Sequence, residues 1–317
     1  MINYFKFRGR EVHSVNQLAE ADWAHISAPL SQEEMIAIAE TLDIPLDFVT
    51  DSLDADERSR YEIEDNSKLI LVNTPLVNVK AKENEAIYIT VPIGIVILEK
   101  SVITISQEKN MIIERILDNK IKKFNPADTA LFVLHILDQN VFWFLECLKD
   151  LNLKRNLIEE ELYNSSRNNE LRQLLKIEKS LVYFVNSLSA NDLLMMKMKR
   201  TDFLKIKDRD PHEDQFEDII IDNGQALEMS NVYTNILSGT MEAYASIISN
   251  NLNTFIHRLT IITIILMVPT LVASFYGMNL DYIPLSDHEH AFLILIAISI
   301  LLGIMMIIFL GKNARKG

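Results

Sequence analysis

At 317 residues and 49% hydrophobic content, the chain is long enough for one sizeable soluble domain or two small ones besides any membrane segment. A net charge of −13 argues against nucleic acid, whose phosphates would be repelled, and an acidic surface suits metal cations. Cys147 is the only cysteine, which excludes internal disulfides and a thiolate metal cluster and fits a cytosolic domain.

The start does not read as a cleaved signal, because residues 1–9 are broken by Lys6 and Arg8 and lack a small-residue cleavage site. Segments 2–7, 23–26, 68–79, 86–98 and 102–105 are rich in Val, Ile and aromatics and read as strands, while 31–42 has helical spacing and a Ser31/Glu34 capping box. Strands interleaved with short helices predict an α/β sheet. The turn 79–85 joins two strand candidates as a hairpin, and Pro92 with Gly94 in the second implies an edge or a bulge. The carboxylate-dense tract 43–65 lacks the frame of an EF-hand loop and reads as solvated helix and loop surface with no ligand role.

Beyond Lys123 the strand signals stop. Asn125-Pro126 is a helix start, and an apolar stripe runs from Leu131 through Phe144 and Leu148 to about Tyr163. A second helix from about Glu170 to about Lys207 should fold back antiparallel on the first, with Phe142, Trp143, Phe144 and Leu194-Met195-Met196 as core. Asp210-Pro211 starts a last element, and from there to Tyr276 nothing firmly stops a helix, since Gly224 and Gly239 only weaken it and a span tolerates Pro269. Such a helix has on the order of 65 residues and, at ~1.5 Å per residue, runs roughly 100 Å.

Residues 259–276 and 291–310 carry no charge, and both can cross a membrane as helices. Only 277–290 lies between them, so they form a hairpin. The turn holds Asp281, Asp287 and Glu289 without Lys or Arg, whereas Arg258 precedes the first span and Lys312, Arg315 and Lys316 follow the second. The positive-inside rule then places both termini in the cytoplasm and the turn outside. The boundaries that follow are an α/β domain at 1–124, a helical hairpin at 125–210, a stalk at 211–258, spans at 259–276 and 291–310, an outer loop at 277–290 and a basic tail at 311–317.

Read in heptads, the first span and its approach give one row of Asn253, Thr260, Met267 and Ser274 and a neighbouring row of Ile256, Thr263, Thr270 and Gly277. Small hydroxylic residues also serve close helix packing. The amide of Asn279 closing the same face favours a water-filled pore built from several copies.

The run Met267-Val268-Pro269-Thr270, then Tyr276-Gly277-Met278-Asn279, a short acidic turn, a second span and a basic tail resembles the CorA family of magnesium channels. The resemblance is close over the C-terminal third and general in layout before it. It implies a funnel-like homopentamer in the cell membrane whose α/β domain feeds a stalk continuous with a pore-lining first span. Asn253 and Met267 then match a polar ring and a hydrophobic constriction, Thr270 another pore position, and Gly277-Met278-Asn279 the selectivity filter. Because Mg²⁺ surrenders its octahedral waters reluctantly and charged ligands would trap it, a ring of Asn279 carboxamide oxygens can accept hydrogen bonds from the water shell and still release the ion.

The family also places a regulatory cation between a stalk acid and an acid near the hairpin turn; the nearest matches here are Asp218 and Asp222 with Glu83 or Glu85. Asp214, Asp218 and Asp222 stack on one helical face and repel. The chain departs from the family where Pro284 is followed by Leu285 rather than an acid, and Asp287-His288-Glu289-His290 could hold a softer metal, though such a tract is more often a hydrated loop. No phosphate loop, dinucleotide fingerprint, HExxH, CxxC or GxSxG is present, so neither an enzyme nor an organic cofactor is expected. Three readings stay open: a Mg²⁺ channel also passing Co²⁺ or Ni²⁺, a zinc transporter of the same superfamily, and a membrane-anchored interaction protein.

Overall fold

The computed structural model describes residues 2–8, 11–79, 81–99, 101–107, 110–118, 128–164, 168–207, 209–278, 284 and 289–314. The chain separates into two compact units, Met1–Met241 and Glu242–Gly317.

In the first unit, strands β1 (Ile2–Arg8), β2 (Glu11–Val15), β3 (Trp23–Ser27), β4 (Arg60–Glu64), β5 (Ser67–Val77), β6 (Tyr88–Ile97) and β7 (Val102–Ser106) form one sheet in the order β2-β1-β3-β7-β6-β5-β4. Among the described residues only β3 and β7 pair in parallel. Alternation along each strand divides the core into two layers. Leu69, Leu71, Val96, Ile103 and Ile105 pack with Ile38, Leu42, Phe48 and Val49 from helices α1 (Gln32–Leu42) and α2 (Leu46–Ser52). Ile70, Val72, Ile93, Ile95 and Trp23 face the other way, onto α3 (Met111–Leu117), α4 (Thr129–Asn164), α5 (Asn168–Arg200) and the first turns of α6 (Asp210–Tyr276). The expected α/β domain is a three-layer sandwich.

The Ser31/Glu34 capping box forms, with the Glu34 amide donating to Ser31 Oγ at 3.2 Å and the Ser31 amide to Glu34 Oε2 at 2.7 Å. Two strands escape the periodicity argument. β2 is an edge strand with little buried on either face, and β4 lies inside the acidic tract, so its Tyr61 and Ile63 alternate with charges, as edges often do. Within that tract Arg60 gathers three carboxylates: Asp51 Oδ2 at 2.6 Å, Glu62 Oε2 at 3.5 Å, and Glu57.

Pro92 proves to sit at a local edge, without a bulge. The β5–β6 register runs unbroken from Lys68↔Ile97 to Val77↔Tyr88, while β7 pairs only as far as Ile93 and β4 only as far as Leu71. Pro75 and Pro92 therefore lie where the hairpin overhangs its neighbours. Opposite Pro92, the backbone of Asn73 is satisfied by helix side chains: its amide donates to Asn191 Oδ1 at 3.0 Å, and its carbonyl accepts from Asn140 and Asn191 at 2.9 and 2.8 Å. Gly94 answers a different need, because a Cβ there would meet Ser52 Oγ at 1.9 Å and Ser52 Cβ at 2.6 Å. Gly94→Ala is expected to destabilise the protein by about 1–3 kcal/mol, read as a lower denaturant midpoint with unchanged slope.

The proposed Asn125-Pro126 start lies outside the described residues; the described α4 is capped at Asp128, whose Oδ1 accepts from the Leu131 amide at 3.2 Å. Although α4 is apolar enough to cross a membrane, 61% of that stretch is buried in the domain. Of the residues expected in its core, Phe144 is fully buried and Trp143 Nε1 donates to the Pro75 carbonyl at 3.0 Å, whereas Phe142 is exposed, with the Arg115 guanidinium over its ring at 4.4 Å. Leu194 and Met195 are buried, whereas Met196 is 52% exposed. α5 ends at Arg200, short of the expected Lys207, because Asp202 turns left-handed at φ 47° and its Oδ1 accepts from the amides of Ile206 and Lys207 at 2.9 and 3.1 Å.

The second unit holds the end of α6 and helix α7 (Ala291–Ala314). Both carry stretches long and apolar enough to span a membrane, with mean hydropathy 2.1 and 3.1. Their outer faces are solvent-exposed apolar surface, as lipid-facing helices require.

Candidate functional site

α6 is one helix of 67 residues, continuous through Gly224, Gly239 and Pro269. From 261 onward its half-buried positions are Ile261, Ile264, Ile265, Val268, Val272 and Tyr276, a stripe at helical spacing that faces α7. The matching stripe on α7 includes Ala291, Ile294, Leu295, Ser299 and Gly303. A cleft of about 630 Å³ remains between the two helices near Pro269, Tyr276 and Phe292.

The two heptad rows lie on another side of α6. Asn253, Ile256, Thr260, Thr263, Met267, Thr270, Ser274 and Gly277 are all exposed, with Met267 at 64%. At about 100° per residue, their mean direction falls well over a right angle from the α7-facing stripe. Gly277 also lines the cleft toward α7, so the face left uncovered by α7 runs from Asn253 to Ser274.

Its three threonine hydroxyls share one disposition. Thr260, Thr263 and Thr270 each donate to the carbonyl four residues earlier, at 2.9 Å: Ile256, Leu259 and Leu266. With the proton spent inside the helix, each oxygen offers only lone pairs outward, which suits the water shell of a cation. The periodicity located these residues, but not this polarity. Thr254 bonds Asn250 in the same way off the rows, so the bond alone does not mark the face.

α6 closes at Tyr276. The Gly277 amide donates to the Ala273 carbonyl at 3.0 Å and the Met278 amide to Phe275 at 3.3 Å. A Cβ on Gly277 would stand 3.3 Å from the Ala273 carbonyl, a tight contact at the helix end. Met278 is half-exposed at 48%. Asn279, Asp281, Asp287 and His288 lie outside the described residues; Glu289 and His290 are exposed ahead of α7.

The four acids assigned to a regulatory cation fall into two places within one chain. Asp218 and Asp222 sit one turn apart, exposed, near the start of α6. The Asp222 carboxyl is pushed above the ordinary carboxylate range by partial burial and then by the charges of Asp138 on α4 and Asp218. Asp138 was not legible beforehand, because its nearness depends on how α4 packs against α6. Glu83 and Glu85 lie on the β5–β6 turn, where Glu83 meets Arg172 of α5 at 2.9 Å and Glu85 Oε2 accepts from the Lys82 amide at 3.0 Å. Among the described residues no group of three or more His, Cys, Asp or Glu is disposed to hold a metal within the chain.

A family model for CorA-like Mg²⁺ transporter proteins matches residues 19–313. The cobalt/magnesium transport protein CorA of Methanocaldococcus jannaschii is 27% identical over 286 residues, covering 89% of this chain and 87% of that protein. That of Thermotoga maritima is 22% identical over 318 residues, covering 97% and 88%. The complete structure of the Methanocaldococcus jannaschii CorA magnesium transporter superposes with a TM-score of 0.77 at 21% identity, covering 97% of this chain and 96% of that one.

Proposed function

The chain belongs to the CorA-like Mg²⁺ transporter family, and from that premise we propose that it is a homopentameric channel admitting Mg²⁺, and with it Co²⁺ or Ni²⁺, down the electrochemical gradient. Its role is transport rather than catalysis. Both spans sit in the cell membrane with the termini cytoplasmic, as the basic residues flanking them support.

The observation that carries the proposal is the uncovered face of α6, where Thr260, Thr263 and Thr270 turn acceptor oxygens outward in line with Asn253 and Ser274. An isolated anchor gains nothing from such a row facing lipid, whereas a ring of these faces lines a pore through which the hydrated ion passes. In the pentamer Met267 forms a dry constriction, and Gly277, Met278 and Asn279 form the filter at the outer mouth. Asn279 supplies the selecting oxygens and Gly277 the close backbone.

Influx needs a gate. Moving two charges down a potential is worth roughly 4.6 kcal/mol per 100 mV, about three decades of concentration, so an ungated channel would flood the cell. Asp218 and Asp222 of one subunit, with Glu83 or Glu85 of the next, form the cytoplasmic Mg²⁺ sensor. Binding there offsets what partial burial and then the charges of Asp138 and Asp218 cost the Asp222 carboxylate, and holds the subunits in the closed arrangement.

Thr270→Leu is expected to cut Mg²⁺ uptake about tenfold or more, since an added barrier of only ~1.4 kcal/mol suffices. Ile265→Val, on the α7-facing stripe, should be close to wild type. Uptake of Mg²⁺, Co²⁺, Ni²⁺ and Zn²⁺ into vesicles holding each variant checks both. Equal effects of the two substitutions would show that the lining face is misassigned, and transport of Zn²⁺ alone would favour the zinc-transporting branch.

A further inference from the structure

The turn that carries Glu83 and Glu85 is already held by cations of the chain itself. Arg172 on α5 sets Nη1 2.9 Å from Glu83 Oε1. Two turns along the same helix, Lys179 donates from Nζ to the Asn84 carbonyl at 2.6 Å. Of these two contacts only the first engages a carboxylate, and Glu83 is one of the two turn carboxylates that the sensor reading above offers to Mg²⁺.

We propose that Arg172 is a tethered competitor for Glu83: its guanidinium occupies the carboxylate when no divalent cation is bound, and its displacement sets the cytoplasmic Mg²⁺ concentration at which the channel closes. This rests on the reading of Glu83 as part of the sensor. Three properties of the pair support the exchange. The guanidinium does not lose its proton at any physiological pH, so the competitor is always present. The pair is open to water, with side chains 53% and 77% exposed, so a hydrated cation can reach it. Exposed pairs of this kind are weak, so the ion can displace the arginine at modest cost, whereas a buried pair would resist. Displacement also releases one of the contacts that tie the turn to α5, which links cation binding to the position of that helix.

The test uses the full-length protein in detergent micelles and reads protection from a protease as MgCl₂ is raised. Arg172→Gln should reach half-protection at about two- to fivefold lower Mg²⁺ than wild type, the range that an exposed ion pair can contribute. Arg172→Lys, which keeps the charge, should stay near wild type, and Arg172→Gln should add nothing in a Glu83→Gln background. Lys179→Gln removes the clasp to the backbone without freeing a carboxylate, and should not lower the midpoint. The proposal is overturned if Arg172→Gln leaves the midpoint unchanged, if it shifts it equally in the Glu83→Gln background, or if Lys179→Gln lowers it as much. If Glu83→Gln, Glu85→Gln and the Asp218→Asn/Asp222→Asn pair all leave the midpoint at wild type, the sensor reading itself fails and this inference falls with it. If those acidic variants shift the midpoint while Arg172→Gln does not, only the competition is wrong.

Discussion

Replacing Asn279 with Asp or with Ala is expected to abolish nearly all Mg²⁺ flux while leaving folding and assembly intact. The two substitutions fail for opposite reasons. A ring of carboxylates binds a divalent ion far more tightly than a ring of amides, and each ~1.4 kcal/mol of added binding slows its departure about tenfold. Alanine removes the acceptor altogether, so the water shell finds no partner at the mouth. Flux into vesicles, with size-exclusion profiles to check assembly, decides the matter. Wild-type flux from either variant would remove Asn279 from the filter.

The second large effect concerns closure. Neutralising Asp218 and Asp222 together takes away the carboxylates through which cytoplasmic Mg²⁺ is proposed to hold the subunits. It also removes two of the three charges that meet at this point, leaving Asp138 alone. The double Asn variant should therefore need roughly tenfold more Mg²⁺ or greater for protection from proteolysis, corresponding to a loss of ~1.4 kcal/mol or more of coupling. It should also keep conducting at internal Mg²⁺ that closes the wild type. Protection and closure at wild-type concentrations would place the sensor elsewhere, with the carboxylates of residues 43–65 the next to test.

Much of this was legible in the chain because its signals are local. The capping box at Ser31 and Glu34 and the apolar strand read at 68–79 depend on neighbours a few residues away, and both appear in the structure, the strand as β5 (Ser67–Val77). So does the continuity of α6, which follows from the lack of a strong breaker between Asp210 and Tyr276. β2 and β4 were not legible, because edge strands bury too little to show a period. α3 is short and begins at Asn110, whose side chain accepts from the Ile112 amide at 2.9 Å, a cap hidden among polar loop residues. The end of α5 escaped notice because one left-handed residue, Asp202, stops a helix whose composition would continue.

For the candidate site the division is similar. The heptad rows on α6 need only the helical period, and the structure leaves their residues from Asn253 to Ser274 uncovered by α7. The contact of Arg172 with Glu83 spans 89 residues, and the effect of Asp138 on Asp222 depends on the packing of α4 against α6. No periodicity in the sequence carries such information.

The central claim is that a divalent cation crosses by a passive pore, and one flux measurement addresses it most directly. Full-length protein is placed in vesicles that contain a Mg²⁺ indicator, with a K⁺ gradient and valinomycin setting the interior negative and with equal pH on both sides. Since two charges gain roughly 4.6 kcal/mol per 100 mV, Mg²⁺ should enter while the internal concentration stays below the closing threshold, faster as the potential is made more negative, with no nucleotide present. Entry that ignores the potential, or that appears only when a pH gradient is imposed, would contradict the account.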